Sequence, residues 1–398
     1  PLAGLSLAST VLTTVVGLCV FLAYATTASV ARLLGAGERS RALRSGIDGM
    51  WLAAGLGVLL AVALELAAPG LVRALGAPEQ VVPDAVAYLR WSAPGLPGML
   101  VVLAATGTLR GMLDTRTPLV VATAGAVLNA VLTVVLVLGL GLGVAGSGAG
   151  TAVTQILMAA VLVSRVTGGA RAAQVSLRPG RAGLLSGLRD GTPLLVRTAS
   201  LRGAMLLSAW VAAGLGAVTL AGHQAVGAIW GLTALALDAL AIAAQALVGH
   251  SLGAADPAVA RAVVGRVLRW GTTAGALLGV VVGATAPWTA RLFTEDPAVH
   301  TAVTAALLVA AVTMPMAGWV FVLDGVLIGA GDGRYLAAVG MLTLVVYAPA
   351  ALAVRAWAPG GTAGLLWLWI AFAGLFMLAR AITTGLRVRG TAWLDPRT

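Results

Sequence analysis

Residues 321–334 read Phe-Val-Leu-Asp-Gly-Val-Leu-Ile-Gly-Ala-Gly-Asp-Gly-Arg, so an aspartate, Asp324, lies inside an apolar run that a Gly-x-x-Asp-x-Arg turn ends. The same turn occurs 218 positions earlier over residues 111–116, with Gly329 corresponding to Gly111 and no gap in the register. The aspartate of the apolar run does not repeat, because Thr106 occupies the position that corresponds to Asp324. One half of the chain therefore carries an acidic residue in an apolar segment where the other half has none.

This register of 218 positions extends over most of both halves. It pairs Leu34-Gly-Ala with Leu252-Gly-Ala, Arg73 with Arg291, Pro97 with Pro315, and Ala145-Gly with Ala363-Gly. Corresponding positions lie on the same side of a membrane only in a parallel repeat, so we expect two lobes related by an axis along the membrane normal. The counterpart of the predicted span 191–217 would precede residue 1. We therefore expect a six-plus-six arrangement, of which this chain holds eleven spans and lacks the first helix.

The composition indicates a helical membrane protein. Of 398 residues, 60% are apolar and only 10% are charged, which is too few charges for the surface of a soluble protein of this size. The apolar residues form runs of about 20, the length that a helix needs to cross roughly 30 Å of hydrocarbon. The predicted fold is an all-α polytopic membrane protein with spans at 5–31, 47–70, 84–107, 118–140, 146–165, 191–217, 222–249, 267–290, 301–328, 336–357 and 361–383.

The basic residues indicate the orientation of the chain and no nucleic-acid partner. The 25 basic residues are all arginines, the formal net charge is +11, and most of the arginines lie in alternate loops between predicted spans. A cationic excess in short loops fixes orientation in the bilayer, so these loops and the C-terminus are predicted to be cytoplasmic. The long basic loop 166–190 is the predicted linker between an N-terminal lobe, 1–165, and a C-terminal lobe, 191–398. Cys19 is the sole cysteine, so neither an internal disulfide nor a thiolate metal site is expected.

A charged residue inside a predicted span costs about 2.5–3.5 kcal/mol near a helix centre, so each one needs a reason. Asp324 and Asp238 lie in two spans, and Arg197 and Arg202 enter a third from the predicted cytoplasmic side. At about 1.5 Å per residue, Arg197 reaches the depth of Asp324 and Arg202 reaches the depth of Asp238. Two interpretations stay open. The pairs either hold the second lobe together, or at least one aspartate exchanges H⁺ or Na⁺ when a change of partner alters its protonation.

Uncharged polar residues and prolines in the spans give weaker signals. Asn129, Gln155 and Gln245 are expected to form hydrogen bonds between helices, with ligand contact in a cavity as the alternative. Pro97 and Pro315 predict helix kinks, which are useful in a moving helix but are also common in static ones. The three histidines are scattered and make no metal constellation.

These motifs together resemble a known family. The repeated Gly-x-x-Asp-x-Arg turns, Asp-Gly-x-x-x-Gly at 324–329, the segment Asp238–Gln245, and Asn129 followed by Gly-Val-Ala-Gly at 143–146 resemble the multidrug and toxic compound extrusion (MATE) family. The resemblance covers essentially the whole chain and is greatest to the branch named after DNA-damage-inducible protein F. It implies a twelve-helix, two-lobed antiporter of the plasma (cell inner) membrane that expels cationic or amphipathic compounds against inward flow of H⁺ or Na⁺. It also implies an acid on the first helix, and a second acid in the first lobe where Thr133 now stands.

The predicted function is therefore secondary active efflux of small molecules by a chain in contact with membrane lipid and expected to be monomeric, with no cofactor besides the coupling ion. A flippase of lipid-linked saccharides, from the same superfamily, is the alternative. It would line its cavity with arginine or lysine from both lobes to hold a diphosphate, whereas Arg197 and Arg202 both lie in the second lobe. An intramembrane enzyme would need paired acids on one helix, a histidine-rich metal site or a matched Ser/His set, and the sequence has none of these.

Overall fold

The computed structural model describes residues 2–74, 76 and 78–394, with side chains from Gly4 onward. Within these residues the chain forms helices and connecting loops. The α-helices are α1 (Leu2–Leu18), α2 (Phe21–Gly35), α3 (Arg39–Ala74), α4 (Val82–Ser92), α5 (Leu96–Gly111), α6 (Arg116–Val134), α7 (Gly143–Ala172), α8 (Arg181–Gly214), α9 (Ala217–Gly253), α10 (Pro257–Phe293), α11 (Pro297–Ala330), α12 (Gly333–Trp357), α13 (Thr362–Trp369) and α14 (Met377–Arg389).

The prediction of eleven spans is confirmed, since eleven helical segments of the described chain are long and apolar enough to cross a membrane. Most of these segments extend beyond the predicted ends. The segment predicted at 267–290, for example, occupies Pro257–Phe293. Its early start has a local cause, because the Asp256 carboxylate accepts a hydrogen bond from the Val259 amide at 2.9 Å and Pro257 occupies the first helical position. Hydropathy therefore locates each span, and at α10 a capping residue sets where the helix begins.

The chain divides into two compact units, 1–192 and 193–398, and the boundary lies inside α8. Only 173–180 of the predicted linker 166–190 lies outside helices, because α7 continues to Ala172 and α8 begins at Arg181. In the first unit α5 packs against α2, α3 and α7, and in the second unit α11 packs against α9, α10, α13 and α14. The nine residues from Val322 to Ala330, at the end of α11, are all buried. Each unit is thus organised around one central helix, and both central helices end in the repeated turn.

The sequence repeat recurs in the helix packing. Gly107 and Gly111 of α5 lie against the backbone oxygens of Ala23 and Thr27 on α2. In the second unit, Gly325 and Gly329 of α11 lie against the backbone oxygens of Ala241 and Gln245 on α9, at the same offset of 218 positions. A side chain at any of these glycines would push the two helices apart, and small residues allow helices in a membrane to approach closely. The same close contact between two helices is therefore present in both units, between α5 and α2 in the first and between α11 and α9 in the second.

A second contact of the repeat involves the two prolines. A side chain at Gly57 of α3 would meet Pro97, and a side chain at Gly275 of α10 would meet Pro315, again at the same offset. The local backbones differ, however. Pro97 lies in the first turn of α5 after a 3₁₀ turn at Ala93–Gly95, whereas Pro315 lies inside the continuous helix α11. The predicted kink at Pro97 thus lies directly after a 3₁₀ turn within the continuous helical segment Val82–Gly111.

In the first unit, the loop 173–180 is fastened to α3. The Asp48 carboxylate is 5% exposed, accepts a hydrogen bond from the Gly180 amide at 2.8 Å and pairs with Arg44 Nε at 3.3 Å. Arg44 Nη1 also donates to the Ser176 carbonyl at 2.8 Å, and Trp51 Nε1 donates to the Leu177 carbonyl at 2.9 Å. Three side chains of one helix thus hold the segment that leads to α8.

Candidate functional site

The candidate site is a buried cluster of three charges in the second unit, which we call the charge cluster. Asp324 is 3% exposed, and its Oδ2 accepts hydrogen bonds from Arg197 Nη2 and Arg380 Nη2. Both arginines also form ion pairs with this carboxylate, and their side chains are only 12% and 10% exposed. A hydrogen bond between two charged groups is about twice as strong as a neutral one, so the cluster joins the elements that carry it.

Each charge of the cluster comes from a different helix. Asp324 lies on α11, whose last nine residues are buried on all sides, so its carboxylate needs partners from neighbouring helices. Arg197 lies in the first turns of the second unit, on α8, and Arg380 lies on α14. A π-helical segment, Ile370–Phe376, directly precedes α14. Such a segment has a wider turn than an α-helix and is frequent at functional sites, and here it ends four residues before Arg380.

A small cavity adjoins the cluster. It has a volume of about 10 Å³, and besides the three charged residues Thr343 and Thr384 contribute to its wall. This volume is near the smallest that holds one water molecule, and such a water needs polar partners, which the wall supplies. Substrate-sized space is therefore absent at the cluster itself, whereas an ion or a water has room.

The sequence predicted the contact between Arg197 and Asp324 but did not predict the contact between Arg380 and Asp324. The depth count placed Arg197 level with Asp324, and the structure joins the two side chains. Arg380 lies three residues before the predicted end of the span 361–383, where arginine reads as the start of a cytoplasmic loop. Since α14 continues to Arg389, Arg380 is deeper than the hydropathy profile indicates. The sequence signal that could have found Arg380 is Asp324 itself, because a buried acid needs counter-charges from neighbouring helices.

Asp238 and Arg202 stay a predicted pair. Asp238 is half-buried on α9, three positions before Ala241, the residue that packs on Gly325. Asp238 therefore lies on α9, which contacts α11 at Gly325, the residue that follows Asp324. Arg202 is exposed on α8.

The predicted polar residues have different surroundings. Gln245 is 1% exposed and its backbone packs against Gly329. The backbone of Gln155 packs against Gly98, and its side chain is half-buried. The buried Oδ1 atom of Asn129 has no hydrogen-bond partner within the described residues. Asn129 corresponds to Tyr347 in the repeat, whose hydroxyl shares a 2.5 Å hydrogen bond with Ser208.

The first unit has no counterpart of the charge cluster in its described residues. At the positions that correspond to Asp324 and Arg380 it has Thr106 and Leu162, and Leu162 is 1% exposed among apolar neighbours. The predicted asymmetry between the two halves is thus also an asymmetry of the buried charge. Among the described residues, a buried carboxylate bonded to arginines of two other helices is therefore found in the second unit.

Comparison with known proteins gives the family context. The MatE family model matches residues 1–135 and 193–352. The chain is 35% identical over 344 residues to "Protein DETOXIFICATION 44, chloroplastic" of Arabidopsis thaliana, covering 86% of this chain and 63% of that protein. It is 32% identical over 299 residues to "Protein DETOXIFICATION 43" of the same plant, covering 74% of this chain and 55% of that protein. The chain thus spans roughly three fifths of the length of these relatives.

Solved structures share the fold. One, described as a MOP superfamily transporter from Pyrococcus furiosus with reversed polarity of its binding pocket, has a TM-score of 0.89 at 21% identity and covers 99% of this chain and 89% of its own. Another, an outward-facing multidrug resistance MATE family transporter, has a TM-score of 0.88 at 22% identity and covers 98% of this chain and 88% of its own. At these identities the likeness concerns the fold alone, and it agrees with the all-α architecture of the chain.

Proposed function

Because the chain belongs to the MatE family, we propose that it is the membrane core of a secondary active exporter, which moves cationic or amphipathic small molecules outward in exchange for H⁺ or Na⁺. The family match and the fold support a transporter of small molecules. The names of the relatives and the fold neighbours, which speak of detoxification and multidrug resistance, support the substrate class.

The observation that carries the proposal is the position of Asp324 between arginines on two separate helices, α8 and α14. A carboxylate bonded to two guanidinium groups is ionised and holds no proton. If either helix moves away during transport, the carboxylate loses a counter-charge in a region of low dielectric and takes up a cation instead. When the arginine returns, it displaces that cation. Asp324 thus exchanges partners, and the exchange couples ion movement to a change of conformation.

Asp238 is the second acid in this scheme. It lies on α9, whose close contact with α11 at Ala241 and Gly325 transmits any displacement of α11. We assign it a supporting role in binding the coupling ion. Arg197 and Arg380 are the charge partners of Asp324, and the cavity beside them admits a water or an ion.

We assign the protein to the plasma (cell inner) membrane, which the resemblance to the family implies, and the arginine distribution supports a multi-pass orientation with a cytoplasmic C-terminus. The alternative of a lipid-linked saccharide flippase is not favoured. Such a protein needs free cationic groups to hold a diphosphate, whereas Arg197 and Arg380 both bind Asp324.

The test is accumulation of ethidium, a cationic dye, in cells that express the protein, with and without a protonophore or a sodium ionophore. We expect the wild-type protein to lower accumulation, and one of the ionophores to abolish this effect. Asp324→Asn keeps the shape of the side chain but removes the charge, so dye accumulation should rise to the level of cells without the protein. Asp238→Asn should raise it in part.

The matched control is Asp332→Asn. Asp332 is also a buried acid of the second unit, 7% exposed and paired with Arg387 Nε at 2.6 Å, but it lies in the turn after α11, outside the charge cluster. Asp332→Asn should keep efflux when membrane levels of the variants are matched. Efflux by Asp324→Asn at the wild-type level would refute the assignment of the coupling acid.

A further inference from the structure

An amphipathic groove in the second unit lies apart from the charge cluster. It is formed by α10, α11 and α14 together with the 3₁₀ turn Ala392–Leu394, and it has a volume of about 310 Å³. A second hollow of about 220 Å³ continues it and shares Trp319, Gly385 and Arg389 as wall residues. The larger hollow alone reaches the roughly 300 Å³ at which small-molecule sites begin.

The walls of the groove are apolar and aromatic. Trp319 lies over Gly385, where any side chain would collide with its ring. Trp393 is 2% exposed, and its Nε1 donates to the carbonyls of Val388 at 2.9 Å and Gly390 at 3.1 Å. These contacts fix both indole rings, so the groove is shaped before any occupant arrives.

The charges at the groove are all positive. Arg261 and Arg389 are exposed wall residues, no acidic residue is part of the wall, and neither arginine forms an ion pair within the described part of the chain. A cationic substrate would be repelled here, so the groove does not serve the proposed efflux. Two guanidinium groups on the wall of an apolar groove are instead complementary to an anionic head group with an attached hydrocarbon chain.

We propose that this groove binds one anionic glycerophospholipid, with its phosphodiester between Arg261 and Arg389 and an acyl chain along Trp319. Both arginines lie at the membrane side that the arginine pattern predicts to be cytoplasmic, where anionic lipids are enriched and basic pockets between helices bind their head groups. Adjoining faces of the same helices carry the charge cluster, because Leu323 and Gly385 line the groove while their sequence neighbours Asp324 and Thr384 line the cavity at the cluster. A bound lipid thus stabilises the packing of α11 on α14.

The test is native mass spectrometry of the purified, delipidated full chain, titrated with phosphatidylglycerol and separately with phosphatidylcholine of the same acyl chains. The wild-type chain should bind phosphatidylglycerol about tenfold more tightly, because both lipids carry the phosphodiester but the choline ammonium group of phosphatidylcholine is repelled by the two guanidinium groups. The double variant Arg261→Gln/Arg389→Gln should bind both lipids equally.

Two further variants make the result specific. Gly265→Leu places a side chain in the groove and keeps both arginines. A Cβ atom at this position has no other atom within 4 Å, so the variant should fold. It should lose affinity for both lipids. Arg266→Gln removes an exposed arginine of the same helix that does not line the groove, and it should leave affinity unchanged. Equal binding of the two lipids by the wild-type chain would overturn the proposal. So would a loss of preference in Arg266→Gln that matches the loss in the double variant.

Discussion

Asp324 is the residue on which the account depends, because an isolated charge in hydrocarbon is costly and its partners therefore decide its chemistry. Arg197 and Arg380 both donate to the same carboxylate oxygen. In the described conformation these two arginines balance the charge of Asp324, and in the proposed cycle the carboxylate takes up a cation only after an arginine has moved away. A carboxylate with one fixed partner on the same helix would not respond to helix movement.

Removal of one arginine should destabilise the second unit strongly. Arg380→Gln leaves Asp324 with one buried counter-charge, and loss of one partner from a buried pair costs about 3–5 kcal/mol. Thermal unfolding of the purified protein in detergent should therefore show a clearly lower midpoint for Arg380→Gln. Arg380→Lys should lie between this variant and the wild-type protein, since lysine keeps the charge but loses the planar fork. Arg261→Gln, which removes an exposed arginine without an ion pair, should unfold like the wild-type protein; an equal midpoint for Arg380→Gln would show that the pair contributes nothing.

Asp114 should give the first unit a measurable pH dependence. Partial burial disfavours its charged form, but hydrogen bonds from the Thr117 hydroxyl at 2.6 Å and the Thr117 amide at 3.0 Å outweigh this, so the pKa of Asp114 lies below its ordinary value of 3.8. A depressed folded-state pKa adds stability above the unfolded-state pKa, and that stability is lost as the pH falls through the folded-state value.

The stability difference between the wild-type protein and Asp114→Asn should therefore be constant near neutral pH and should shrink only below about pH 4. Unfolding midpoints of both proteins between pH 7 and pH 3 measure it. A difference that grows on acidification would contradict the assigned sign.

At the scale of single elements, the repeated turn has a left-handed backbone in both units but uses different residues for it. The residue after α11 is Gly331, with φ of 84°, which suits glycine. Its counterpart after α5 is Leu113, with φ of 64°. A left-handed backbone costs a non-glycine residue about 1–2 kcal/mol, so the first unit carries strain in this turn that the second unit avoids.

Exchange of these residues should shift stability in opposite directions. Leu113→Gly should raise the unfolding midpoint, because it removes the strain and Leu113 is 48% exposed. Gly331→Leu should lower it by the equivalent of about 1–2 kcal/mol. Differential scanning fluorimetry in detergent measures both, with Leu140→Gly, another exposed leucine next to a loop, as the control. If Leu113→Gly were as destabilising as the control, the turn would not be strained.

The fastening of loop 173–180 to α3 gives a prediction for proteolysis. Asp48→Ala removes the acceptor for the Gly180 amide and leaves Arg44 without its carboxylate, which costs about 1–3 kcal/mol per lost buried partner. Trypsin should then cleave after the exposed Arg181 about tenfold faster. The control is Glu38→Ala, which breaks an exposed ion pair with Arg41 and should leave the cleavage rate unchanged. An unchanged rate for Asp48→Ala would show that other contacts hold the loop.

At the same scale, hydropathy was enough to predict the eleven spans, because each apolar run must be helical to satisfy its backbone in lipid. It failed at the helix ends, where Asp256 and Arg181 extend helices into polar sequence that hydropathy assigns to loops. The contact of Arg197 with Asp324 followed from depth along a helix. The contact of Arg380 did not, since the π-helical segment before α14 changes the register and no sequence rule places such a segment.

At the scale of the whole molecule, the repeat supplies two units with the same central packing, and the charge cluster makes the second unit different from the first. Gly107 and Gly325 keep the same helix contact in the two units, whereas Thr106 and Asp324 differ in charge. We infer that the shared packing provides the transport fold and that the unshared acid provides the coupling to an ion.

The direct test of that inference separates substrate movement from ion coupling in proteoliposomes. Ethidium counterflow, with dye on both sides and no ion gradient, measures movement of substrate alone, and accumulation driven by an imposed H⁺ or Na⁺ gradient measures coupling. We predict that Asp324→Asn retains counterflow, which also shows that it is folded, but no longer accumulates dye under either gradient, while Asp332→Asn does both. Gradient-driven accumulation by Asp324→Asn at the wild-type rate would contradict the account.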